Sequence, residues 1–337
     1  METYSSKAKS QFTSYTFIFK PLLKAYFSKD SESCIDLKIL YFPLEETPER
    51  ILQRFYSFLL FEFDGIRVSP KELRSTTSAV PLSILQLLQT PKYQDVIEYF
   101  EKHVICSTEA NPTGIMKFCK HYAEEHGTTY TKKVLVKDGE GFVEREMFDY
   151  YVQDDPNEYR LIIIDTINLI DTERGMTLKQ SMDKLSEYCA KYLRNRYHYS
   201  PVVIQQQAFE SEGNEAFKLG RMRPSVYGLG DSKYVSRDAN VVLGLFSPMR
   251  SGLTEYEGYD IKKLKDNVRF LEVIVNRDGN MGGMIALFFD GACCQFKELP
   301  KPQWKTEMEK VYKYVEELRK PKEKSIIMFI KSLFKRK

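Results

Sequence analysis

Leu161-Ile162-Ile163-Ile164-Asp165 is an uninterrupted apolar run that ends in a carboxylate. Four consecutive large apolar residues leave no polar face, as expected of a central parallel strand covered on both sides. A helix with Thr177 at its N-cap should follow, reaching about Arg194, and residues 201–205 then read as the next strand. Upstream, residues 37–42 (LKILYF) form another β-rich run. Thr47-Pro48-Glu49 then offers an N-cap, a proline at the first helical position and an acidic first turn; Ile51, Leu52, Phe55, Phe58 and Leu59 make one helical face. Residues 10–27, dense in Phe, Tyr and Leu, read as a buried helix.

Downstream, residues 240–245, 269–275, 284–289 and 293–296 read as strands, with Asp278-Gly279 and Asp290-Gly291 as turns. Alternating helices and strands, then a run of strands, predict an α/β fold. It should have a mostly parallel central sheet, antiparallel edge strands and helices on both faces. Residues 64–158 enlarge this core. Helices are expected at 81–88 and 93–100, a strand at 103–106, and a helix from Asn111-Pro112-Thr113 that Gly127 ends. A hairpin near 130–150 should turn at Asp138-Gly139. We therefore expect one domain over 1–300, followed by an amphipathic helix and basic tail over 301–337.

Composition sets wide bounds. With 337 residues, 42% of them apolar and 29% charged, the chain can bury a sizeable core under a solvated surface. A net charge of +3 is too small to argue for a partner, so local clusters matter more. Lys218, Arg221 and Arg223 form one basic cluster, and Lys331, Lys335, Arg336 and Lys337 another. Such clusters are ordinarily solvated surface; nucleic acid is the sharper reading and needs other support. Cys293 and Cys294 are adjacent, while Cys34, Cys106, Cys119 and Cys189 are scattered, which is no metal pattern and fits reduced thiols. The start, METYSSKAKSQF, has no apolar core of a secretory signal, and no apolar run is long enough for a membrane span. A soluble cytoplasmic protein with no membrane partner is expected (host cytoplasm, if viral).

Five places could carry chemistry. Residues 3–10 end in Lys9-Ser10 and have the length of a phosphate-binding loop, G-x-x-x-x-G-K-[ST]. In that motif backbone N–H groups cradle phosphates, the lysine reaches the β- and γ-phosphates and the hydroxyl holds Mg²⁺. Here Ser6, Lys7, Ala8, Lys9 and Ser10 would line it, with Thr3 and Ala8 in place of both glycines. Asp165 could hold a metal ion or cap the following turn. Glu45, just past the strand at 37–42, could polarise an attacking water; Glu46 beside it could serve equally. Gln205-Gln206-Gln207 closes the strand at 201–205 and could sense a γ-phosphate. Arg277, where the strand at 269–275 meets a turn, could act as an arginine finger or simply be solvated.

Order and spacing say more than any one of these. ILYFPLEETPERI (39–51), LIIIDTINLI (161–170) and PVVIQQQ (201–207) resemble, in turn, the strand and "SLE" segment, the Walker B segment and the "PVI…SQ" segment of DnaB-type replicative helicases. RPSVYGLGDSKYVSRDANVVLGL (223–245) is similar to that family's "RP…DLRESG.IEQDADVV", and VNRDGNMGGMIALFFDG (275–291) to its "KNRNGP.G…L.FDG". The resemblance covers nearly the whole chain. It implies a RecA-like P-loop ATPase, ATP with Mg²⁺ as cofactor, a homohexameric ring and single-stranded DNA in its channel, with primase or other replisome proteins as partners. It places Glu45 at the catalytic glutamate, Ser10 and Asp165 at the metal, Gln207 at the switch, and Arg277 on the neighbouring subunit's γ-phosphate. Asp231, Ser232 and Lys233 fall where the DNA backbone is met, and Lys218, Arg221 and Arg223 lead into that loop.

Departures are specific. Gly230 stands where the family has Arg, Val275 where it often has Lys, and the phosphate loop lacks its glycines. The chain begins about where that loop begins, so we expect a trimmed start at an internal Met in a divergent, phage-like member. Two other readings stay open. One is a RecA- or KaiC-like ATPase, against which segments 223–245 and 275–291 argue. The other is a hydrolysis-deficient paralogue or trimmed fragment with a structural or DNA-binding role, which Thr3 and Ala8 favour.

Overall fold

The computed structural model of the protein describes residues 7–32, 34–74, 80–139, 141–207, 223–229 and 232–320. Two compact units result, one from Met1–Leu23, Glu46–Tyr99 and Gln206–Lys337, the other from Lys24–Glu45 and Phe100–Gln205. The expected α/β fold is present, with parallel and antiparallel strands in separate four-stranded sheets.

The second unit holds the parallel sheet. Its strands are β1 (Asp36–Pro43), β2 (Val104–Cys106), β5 (Glu158–Asp165) and β6 (Ser200–Val203), in the order β2-β1-β5-β6. Ile162, Ile163 and Ile164 are fully buried, as the unbroken apolar run requires of a strand covered on both faces. β1 and β5 run in register from Asp36↔Glu158 to Pro43↔Asp165, which brings both C-terminal ends to one edge. Helix Leu178–Glu187 opens with the expected Thr177 cap, completed as a capping box by Gln180.

Between β2 and β5 the hairpin is longer than the sequence suggests. β3 (Gly127–Asp138) and β4 (Gly141–Gln153) form a two-stranded ribbon of 12 and 13 residues. Helix Pro112–Glu125 ends just before Gly127, and Gly127 is the first residue of β3 rather than the end of the helix. Glycine is needed there because a Cβ would lie 2.2 Å from the Tyr151 hydroxyl and 2.5 Å from the Val152 carbonyl oxygen. Farther out, Lys132–Asp149, Lys133–Glu144 and Arg145–Asp138 pair across the ribbon, and Tyr130 stacks on Tyr150 at 4.5 Å.

The first unit holds the antiparallel sheet, with strands β7 (Val241–Phe246), β10 (Val268–Asn276), β11 (Met284–Asp290) and β12 (Gln295–Glu298) in the order β12-β11-β10-β7. The expected antiparallel strands thus form a four-stranded sheet. Residues alternate between two clusters, as the two-residue period of a strand dictates. Val268, Phe270, Ala286 and Phe288 pack with Met308, Val311 and Val315 of helix Lys305–Arg319. Leu287, Phe289 and Phe296 pack with Phe12 of helix Lys7–Thr13. Helices therefore cover both faces. Two short strands the sequence reading missed, β8 (Glu255–Tyr256) and β9 (Tyr259–Asp260), make a small hairpin before β10.

Among the described residues there is no disulfide, and burial pushes the thiols of Cys189 and Cys294 up to about 12. No described helix is long and apolar enough to cross a membrane.

Candidate functional site

Parallel α/β sheets bind ligands outside the carboxyl ends of their strands. At that edge the chain past β1 folds onto the end of β5: the Leu44 and Glu45 amides both donate to the Asp165 carbonyl, at 2.7 and 3.2 Å. The Asp165 side chain is 2% exposed, and the Tyr41 hydroxyl donates to its Oδ2 at 3.1 Å. Thr166 donates through Oγ1 to the Ile204 carbonyl at 2.8 Å, and the Ile167 amide to the same oxygen at 2.9 Å, so β6 is fixed to the turn that follows Asp165. The result is an exposed glutamate held by its own backbone beside a buried, oriented aspartate. A buried carboxylate oriented by a hydroxyl donor is of the chemistry that serves a hard cation or a bound water.

The sequence leaves Glu45 and Glu46 equivalent; in the structure Glu45 is exposed and Glu46 half-buried. Glu46 accepts from the buried Arg54 guanidinium at 2.5 Å and is committed to that ion pair. Tyr41 and Thr166 were not singled out from sequence. Tyr41 reads as one more apolar residue of LKILYF, and only the parallel register shows its hydroxyl reaching Asp165.

A polar latch frames the loop after Asp165. Glu173 accepts from the Thr113 amide in the first turn of helix Pro112–Glu125 at 2.8 Å, and from the Lys184 ammonium. Lys184 in turn donates to the Thr113 hydroxyl at 3.1 Å. The Lys184 hydrogen bond, then that of Thr113, holds the Glu173 carboxyl down at about 2. A folded-state value below the ordinary 4.5 means stability that is present above 4.5 and lost as pH falls toward 2. We expect Glu173→Gln to lower stability at neutral pH and to flatten the acid limb of a urea-midpoint profile across that window. An unchanged limb would show that other carboxylates carry it.

The N-terminal candidates fall partly outside the described residues, as Thr3 and Ser6 do. Lys7, Ala8, Lys9 and Ser10 are helical, in the first turn of Lys7–Thr13, so this end of the expected loop is already helix. Ala8 has helical backbone and packs against the Phe12, Phe289 and Phe296 cluster. Glycine's extra conformational freedom is therefore not required at position 8. Ser10 is 4% exposed. Among the described residues no cluster of three or more His, Cys, Asp or Glu could hold a metal by itself. Mg²⁺ does not need one, since it is commonly held by one or two protein oxygens plus substrate phosphates. Within the second unit the carboxylate of Asp165 is an oxygen donor of that kind.

Gln207 pairs with Leu229 in a single antiparallel bridge. Lys218, Arg221, Gly230 and Asp231 lie outside the described residues. Arg223 is exposed, paired with Glu257 and placed over the Tyr256 ring. Ser232 is fully buried, and its Oγ accepts from the Tyr234 amide at 3.1 Å, while Lys233 is exposed. Arg277 is exposed at the end of β10; its amide donates to the Asn240 carbonyl at 3.0 Å and its guanidinium to the Arg237 carbonyl.

No family model matches the sequence, and no curated protein matches it. Solved structures do. The chain superposes on the ATPase domain of a DnaB-like helicase with a TM-score of 0.57 and 13% identity, over 88% of this chain and 82% of that one. It superposes on a second DnaB-like replicative helicase, solved in a study of its interactions with primase, with a TM-score of 0.56 and 13% identity, over 86% of this chain. The chain spans 54% of that second helicase's length. The fold is that of the RecA-like ATPase domain in these helicases.

Proposed function

We propose that this chain, with the RecA-like fold of DnaB-type helicase ATPase domains, is an ATP-dependent DNA helicase motor of replication that works as a homohexameric ring on single-stranded DNA. The observation that carries the reading is the pairing of exposed Glu45 with buried Asp165 at the carboxyl edge of the parallel sheet, held by the Leu44 and Glu45 amides. A motor needs a base beside a metal-binding carboxylate, and an edge this firmly bonded keeps both in place. When bound, ATP with Mg²⁺ would supply the phosphoryl group and the charge neutralisation that its transfer requires.

The chain's own residues divide the remaining work. Glu45 would accept a proton from the attacking water. Tyr41 would keep the Asp165 carboxylate in one orientation while Asp165 and Ser10 serve the metal. Lys9 would neutralise phosphate charge, Gln207 would register the presence of the γ-phosphate, and Arg277 would stabilise charge in a neighbouring copy. Lys218, Arg221, Arg223, Asp231, Ser232 and Lys233 belong to the proposed DNA-facing segment, where Lys and Arg meet phosphates without regard to sequence. Ser232, buried as it is, would hold the turn instead of touching phosphate. Primase or other replisome proteins are the proposed protein partners, and the cytoplasm the proposed setting.

A second reading, a ring member that binds without hydrolysing, draws on Thr3, where the phosphate loop has glycine. ATP turnover measured with and without single-stranded DNA separates the two. The motor reading expects hydrolysis that single-stranded DNA stimulates several-fold; nucleotide binding with no turnover under either condition would support the second reading and overturn the first.

A further inference from the structure

Two tyrosines stand out in the segment from Arg223 to Asp238. Tyr227 sits on a short helical turn, Val226–Gly228, whose start is capped by the Ser225 hydroxyl accepting from the Gly228 amide at 3.2 Å. Its side chain is 87% exposed, an unusual position for an aromatic ring on a capped and therefore ordered turn. The Lys233 ammonium lies 5.6 Å from the centre of that ring. Seven residues on, Tyr234 is 42% exposed, with the Arg237 guanidinium 3.9 Å from its ring centre. Arg277 then donates to the carbonyl of Arg237, which ties this cluster to the end of β10.

Each ring is thus presented on a fixed backbone with a cation over it. Solvent-exposed rings with adjacent cations are what single-stranded polynucleotides need. The ring offers a surface on which any base can stack, and the cation meets the phosphate of the same or the next nucleotide. A peptide partner fits less well, because a cation lies over each ring instead of at the margin of an apolar patch. We infer that Tyr227 and Tyr234 are base-stacking platforms for single-stranded nucleic acid, Tyr227 the principal one, with Lys233 and Arg237 supplying the phosphate contacts. This rests on the proposed DNA-facing role of the segment, and it adds that the bases, and not the backbone alone, are gripped.

The distinction is measurable. Anisotropy titrations would compare a short thymidine oligomer with an abasic oligomer of the same length and charge, at several salt concentrations. The wild-type protein should bind the thymidine oligomer more tightly. Stacking on one aromatic ring contributes about 1–3 kcal/mol, so Tyr227→Ala should lose roughly 5- to 150-fold on that oligomer. It should lose nothing on the abasic one and keep the salt slope unchanged, while Tyr227→Phe should bind as wild type. Lys233→Ala should weaken both oligomers and lower the salt slope by about one contact's worth. Wild-type preference for bases that survives in Tyr227→Ala would overturn the platform while leaving the helicase reading in place. An equal loss on both oligomers would mean that the ring only shapes the turn, and would also overturn it. No binding of either oligomer by the wild-type protein would overturn both readings together.

Discussion

Replacing Arg277 with alanine should cut ATP turnover by about 10³–10⁵-fold, the contribution of an arginine finger that stabilises charge as a phosphoryl group departs. The side chain is exposed at the end of β10, and among the described residues its guanidinium meets a backbone carbonyl, that of Arg237, and no carboxylate. A guanidinium held in this way can turn to a neighbouring copy without breaking a buried ion pair. If it acts in a neighbour, nucleotide affinity of a single subunit should scarcely change. Mixed rings then give the decisive measurement. Arg277→Ala and Asp165→Ala subunits, each inactive alone, should regain some turnover at interfaces that keep one intact copy of each group. No recovery at any mixing ratio, with rings verified by native mass measurement, would rule out action in trans. A merely solvated turn arginine predicts almost no effect from the single substitution, so the two cases differ by orders of magnitude.

How much of this was legible in the sequence depended on which force placed each residue. β5 was readable because burial on both faces demands an unbroken apolar run, and Leu161–Ile164 has no other reading at that length. The C-terminal ends of β1 and β5 fall within a residue of where their apolar runs stop, and with them the positions of Glu45 and Asp165, whereas β6 ends at Val203, two residues before the expected 205. The ribbon was underestimated, since Lys132, Lys133, Glu144, Arg145 and Glu146 blur its alternation, and its strands are held largely by backbone pairing and cross-strand ion pairs. Tyr41 and Tyr227 were invisible for different reasons: one looks like core until its hydroxyl is seen at Asp165, and nothing in the sequence around the other sets its exposure. The antiparallel strands were found one by one, but their assembly into a separate sheet depends on long-range pairing that local patterns do not encode.

Arg160 was missed altogether, and it carries the largest expected effect on stability. In EYRLIIID it interrupts the run leading into β5 and reads as a charge at a strand's solvated start. It is instead 2% exposed, paired with the buried Glu158 and enclosed by Tyr122, Tyr151 and Tyr199, whose ring centres lie 5.5, 5.6 and 5.8 Å from its guanidinium. It donates to the Tyr151 hydroxyl at 2.8 Å and to the His126 carbonyl at 2.9 Å. Tyr151 lies on β4 and His126 immediately precedes β3, so one side chain ties the first residues of β5 to both strands of the ribbon at its base. Removing the guanidinium strands the Glu158 carboxylate in the interior and takes a donor from the Tyr151 hydroxyl, while the His126 carbonyl keeps the Asp154 amide at 3.0 Å. Breaking a buried pair from one side costs about 3–5 kcal/mol, so Arg160→Met should lower the unfolding free energy by that amount in urea titrations. The cost belongs to the orphaned charge more than to the lost attraction. Glu158→Gln added to Arg160→Met should therefore recover a large part of it, although no ion pair is restored. Protease cleavage within residues 127–153 should rise in the single variant and fall back in the double one, reporting on the ribbon base directly. If Arg160→Met unfolds at the wild-type midpoint, or if the second substitution only adds to the loss, the pair is not what secures the ribbon to β5.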